Sequence, residues 1–88
     1  MTALAIEKQL VEFLISVTGN GSLTGESDLL QSGIADSLTM MDLLVFIETE
    51  YQLRLDFTDL RPDVFRTPKT VASLLADRQE EQRRSIAA

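Results

Sequence analysis

The 88 residues contain no cysteine and no histidine, so disulfides, thiolate metal sites, cysteine nucleophiles and Ser-His-Asp triads are all excluded. The net charge of −6 is uneven: residues 1–60 hold ten acids against two bases, which argues against nucleic-acid binding and for basic protein partners. With no basic-then-apolar leader and no apolar run of membrane-spanning length, a single cytoplasmic domain is expected.

In chain order, Ile6, Leu10, Phe13, Leu14 and Val17 recur at spacings of three and four and predict a first helix from Thr2, its cap, to about Val17. Thr18-Gly19-Asn20-Gly21 ends it, either glycine being able to take the left-handed conformation of a C-terminal cap. Residues 22–35 form a long connection. Such a loop requires its own apolar anchors, and Leu29, Leu30 and Ile34 are the candidates. Glu26 and Asp28 lack the glycine and terminal glutamate of a calcium loop and read as solvated surface.

A second helix is predicted from about Ser37 to Tyr51. Steps of 100° set Leu38, Met41, Leu44, Val45, Glu48 and Tyr51 on the buried side, with Thr39, Leu43, Phe46 and Glu50 facing outward. A brief third helix is expected within residues 58–65, started by Thr58 or Asp59. Thr67-Pro68 then reads as N-cap and first residue of a last helix that buries Val71, Leu74 and Leu75. The polar run beyond Asp77 has no apolar stripe, so the domain is drawn at 1–77 with a frayed or disordered extension at 78–88. These elements make a small all-α bundle.

The stretch that organises the chain is Gly33-Ile34-Ala35-Asp36-Ser37-Leu38. Asp36 reads as the helix N-cap and Ser37 as the first helical residue. A phosphoryl group on that hydroxyl would lie near free backbone N–H groups and the positive end of the helix dipole. By residue type alone the pair fits equally a plain cap without chemistry.

The run resembles the signature of the acyl, peptidyl and D-alanyl carrier proteins, a glycine, two mostly apolar residues and Asp-Ser-Leu or Asp-Ser-Phe opening the second helix. The resemblance extends from Asp28-Leu29-Leu30 to Val64-Phe65-Arg66-Thr67-Pro68. It implies a four-helix bundle in which Ser37 carries 4′-phosphopantetheine, with Asp36 and Leu38 as motif neighbours. The implied role is that of a non-enzyme presenting an acyl or aminoacyl thioester to biosynthetic enzymes. Its partners would be a phosphopantetheinyl transferase, a loading ligase or acyltransferase and downstream enzymes. The block 58–68 looks more like the D-alanyl carriers and the freestanding carriers of polyketide or nonribosomal peptide synthesis. Few acids line the second helix, unlike the usual fatty acid carriers.

Met40, Asp42, Leu43, Phe46 and Ile47 are the expected partner surface, with Leu43 and Phe46 at its centre. A monomer without metal is expected. The competing expectation is an unmodified helical interaction module that docks through the same helix.

Overall fold

Three helices account for most of the fold in the computed structural model, which describes residues 2–55, 59 and 61–87, leaving out the side chains of Asp36, Ser85, Ile86 and Ala87. They are α1 (Ala3–Thr18), α2 (Leu38–Tyr51) and α3 (Pro68–Ala87), with a 3-10 turn at Ile34–Asp36 just before α2. Among the described residues there is no strand, in keeping with a small helical fold like that of the carriers. Thr58, one of the two residues expected to start a short third helix, lies outside the described residues. Asp59 sits in a 3-10 turn, and Arg61 to Phe65 form a turn in which the Val64 and Phe65 N–H groups both donate to the Arg61 carbonyl at 3.0 Å.

Both ends of α1 close as the sequence predicts. The Thr2 hydroxyl accepts from the Ala5 N–H at 3.2 Å, and Gly19, at φ 72°, donates its N–H to Ile15 at 2.8 Å. Ile6, Leu10 and Leu14 are fully buried, as are Val71, Ala72 and Leu75 of α3, the helix on which α1 chiefly packs. Val17, expected in that stripe, is exposed instead. It stands at the last turn of α1, beyond the end of the core.

Around α2 the expected faces are exchanged. Leu43 and Ile47 are buried almost completely, whereas Leu38, Met41 and Val45 stand 83%, 61% and 62% exposed; Tyr51 alone of the side expected inside is nearly buried. Aromatic contacts fix this rotation. Phe46 is half-buried, stacked on Phe13 with centroids 4.3 Å apart and edge-on to Tyr51 at 6.0 Å. The Tyr51 hydroxyl donates to Gln9 Oε1 at 2.6 Å, and burial, aided by the nearby Glu50, pushes its ionisation up to about 12. These contacts join α2 to α1, and Gln52 ends the helix in the left-handed conformation at φ 54°.

Thr67 caps α3 as expected, its hydroxyl accepting from the Thr70 N–H at 3.1 Å ahead of Pro68. The helix then runs through residue 77 without a break. Arg78 reaches back to the buried Asp59, donating to both carboxylate oxygens, one of these bonds being 3.2 Å long. Glu80 pairs with Arg83 and Arg84 one turn on.

Candidate functional site: a serine at the end of a pinned loop

Residues 19–37 carry the chain from α1 to α2 through a succession of side-chain-capped turns. Asn20 Oδ1 accepts from Ser22, Thr24 Oγ1 from Glu26, and Ser27 Oγ from Thr24, each at 2.8–3.2 Å. Asp28 does more, accepting from the Leu30 and Gln31 N–H groups at 2.9 and 3.1 Å while Arg66 Nε stands 3.4 Å from its other oxygen. The Gln31 bond is the main force holding the Asp28 carboxyl below its ordinary range. Desolvation opposes it, and the Leu30 bond and the Arg66 charge add to it.

The loop is stitched to the far side of the protein by its main chain. Leu29 donates to the Arg66 carbonyl at 2.7 Å, and Lys69 donates to the Gly25 carbonyl at 3.0 Å. Leu29 itself is fully buried and Leu23 and Ile34 nearly so, which makes them the anchors; Leu30, expected among them, is 39% exposed. Gly33, at φ 80°, turns the chain into the 3-10 segment, a conformation that side-chain-bearing residues adopt only at a cost of about 1–2 kcal/mol.

Ser37 emerges from this frame exposed and in extended conformation, at φ −117° and ψ 171°. It is the N-cap of α2, and the helix begins at Leu38. The assignment of Asp36 as N-cap and Ser37 as first helical residue is corrected by one position. Asp36 closes the 3-10 turn, and its side chain lies outside what the structure describes. The Ser37 hydroxyl donates to the Ile34 carbonyl at 2.9 Å and accepts from the Thr39 N–H at 3.2 Å. An extended residue can send its side chain back over the first helical turn, which a residue already inside the helix cannot.

The structure divides the residues proposed for partner contact. Met40 and Phe46 are half-buried and Asp42 is exposed, but Leu43 and Ile47 are core residues with no surface to offer. Sequence reasoning missed Met41 and Val45 as surface, having placed them and Leu38 inside. The spacing allows both readings: Leu43, Ile47 and Tyr51 at i, i+4 and i+8 mark a stripe as good as the one chosen, so spacing alone does not decide between them. Among the described residues no group of three or more acidic side chains is placed to hold a metal ion, and no helix is long and apolar enough to cross a membrane.

The chain is similar to a D-alanyl carrier protein of Lactobacillus delbrueckii subsp. bulgaricus, with 27% identity over 78 residues covering 88% of this chain and 98% of the relative. It is also similar to a D-alanyl carrier protein of Leuconostoc citreum, with 26% identity over 69 residues covering 77% and 88% of the two chains. Over most of its length the chain is thus similar to carrier proteins of the D-alanyl type. No family model matches the chain, and no solved structure matches it significantly.

The electrostatics around Asp28 carry an expected outcome for this chain. A carboxyl lowered in the fold contributes stability above its unfolded value of about 3.9 and loses it as pH falls through its folded value. Asp28→Asn should therefore lower the urea midpoint at neutral pH, with the gap to the parent closing below about pH 3.9. Paired urea titrations from pH 7 to 2.5 measure it; a gap independent of pH would show that the charge is irrelevant.

Proposed function

We propose that the chain carries an acyl or aminoacyl unit as a thioester on a 4′-phosphopantetheine arm attached to Ser37. The observation that supports this most is the Ser37 hydroxyl itself, exposed and held at the N-terminus of α2 by a loop anchored on three buried side chains. The names of the relatives make a D-alanyl unit the first cargo to test.

The residues present fit such an arm. A phosphodiester on Ser37 Oγ would carry its negative charge at the positive end of the α2 dipole. The group supplies the thiol that a chain without cysteine lacks. In the attachment step Ser37 Oγ bonds to the β-phosphorus of coenzyme A, the bond from that phosphorus to 3′,5′-ADP breaks, and the Oγ proton leaves. With no histidine in the chain, the base that takes this proton is assigned to a phosphopantetheinyl transferase.

We take the fold to correspond to the carrier bundle of four helices, reading the turns around Asp59 and Arg61–Phe65 as standing where its short helix would be. Residues 1–77 are taken as the carrier domain, working as a cytoplasmic monomer, and 78–88 as its extension. For the loading ligase or acyltransferase and the downstream enzymes we assign the exposed α2 face, Leu38, Met41 and Val45 with Asp42, in place of Leu43 and Ile47. This face follows Ser37 directly, so an enzyme receiving the arm covers it.

The test is intact-mass measurement after incubation with coenzyme A and a phosphopantetheinyl transferase of broad specificity. A single gain equal to one phosphopantetheine is expected, followed by a gain of one D-alanyl unit with a D-alanine-activating ligase and ATP. An unchanged mass would favour the unmodified interaction module.

A further inference from the structure

Next to the face that borders Ser37, and sharing Asp42 and Val45 with it, one surface feature extends onto α1. Between α1 and α2 lies a shallow groove of about 370 Å³ whose floor is Phe13, Val17, Val45 and Phe46. Val17 is 42% exposed and Val45 62%, so the floor reaches solvent instead of closing into the core. Its rim carries the carboxylates of Asp42 and Glu50, and no basic residue lines it. Residues 1–60 contain only two bases, Lys8 and Arg54, so little within this part of the chain offsets that charge.

An isolated exposed valine is ordinary, but two valines bracketing a stacked aromatic pair make a preformed apolar depression. The stack is rigid. Phe46 is held between Phe13 and Tyr51, and Tyr51 is tied to Gln9, so the floor is organised before anything binds. An apolar floor with an acidic rim selects a partner segment carrying an aliphatic or aromatic anchor flanked by lysine or arginine.

We infer that this groove is a docking surface for a basic, amphipathic segment of a partner protein, gripped by α1 as well as α2. The apolar anchor fills the space between Val17 and Val45, and flanking cations face Asp42 and Glu50. This contact does not require the arm on Ser37. Its consequence is that α1 helps choose the partner, through a residue near its last turn.

The test uses the unmodified full chain, isotopically labelled, and two 12-residue amphipathic peptides that share a leucine anchor and differ only in carrying lysine or glutamate beside it. The lysine peptide should shift the amide resonances of Phe13, Val17, Val45 and Thr49, and the glutamate peptide should bind at least about tenfold more weakly. Val17→Ser, whose spectrum should otherwise match the parent, should weaken the lysine peptide by about tenfold, the order expected for removing an anchor contact from an apolar site. Equal binding of both peptides, shifts confined to α3, or an unaffected Val17→Ser would each overturn the proposal. Concentration-dependent shifts of these same resonances without peptide would also overturn it, by making a second copy of the chain the occupant.

Discussion

Replacing Ser37 with Ala is expected to end phosphopantetheine transfer altogether while leaving the helical circular dichroism close to that of the parent. The effect is all or none because the substitution removes the attacking oxygen, and no other serine stands at the N-cap of α2 after a loop fixed on Leu23, Leu29 and Ile34. The structural effect is limited. The substitution removes one bond to the Ile34 carbonyl and one cap to the Thr39 N–H, and a lost cap costs about 0.5–2 kcal/mol. Intact mass and thermal unfolding on the same sample measure the two effects. Modification of the Ala variant would place the attachment elsewhere, and loss of the folded state would show that the serine is chiefly structural. Ser37→Thr separates cap from attachment, since threonine retains a capping hydroxyl but presents it on a more crowded carbon.

A loss of about 2–5 kcal/mol is expected from Leu43→Ala or Ile47→Ala, whose side chains are buried almost completely and whose removal leaves a cavity. That is a large part of the stability of a domain this size. Val45→Ala and Met41→Ala, on the exposed face, should change stability by no more than about 0.5 kcal/mol. Urea unfolding of the four variants measures this ordering, which is the reverse of the one given by the helical spacing read from Leu38. Phe46→Ala combines both effects: it removes the stack on Phe13 and opens the α1–α2 groove, so lost partner binding in that variant is interpretable only beside its stability. Equal losses at all four positions would contradict the observed rotation of α2.

The helix ends and the loop anchors were largely legible from residue types, because caps are local chemistry. Thr2, Gly19 and Thr67 act where the sequence puts them. The rotation of α2 was not legible. Its apolar residues occur nearly all round, so no single stripe dominates, and the choice is made by Phe13 on another helix and by the Tyr51–Gln9 bond. The one-residue error at the cap has a local cause. Aspartate and serine are both strong N-caps, and the extended backbone of Ser37 decided between them after the 3-10 turn had taken Asp36. Arg78 looked like one charge in a solvated run because its partner, Asp59, is distant in sequence.

The two bonds that tie the loop to the start of α3, from Leu29 to Arg66 and from Lys69 to Gly25, use main-chain atoms alone. Sequence drift is therefore cheap at Arg66 and Lys69 as far as these bonds go, since any residue with an N–H and a carbonyl can form them. Proline at 69 is the exception, lacking the donor. The placement of the serine can thus outlast wide divergence of the segment that holds it, and chains sharing about a quarter of their residues can still hold this loop by the same bonds.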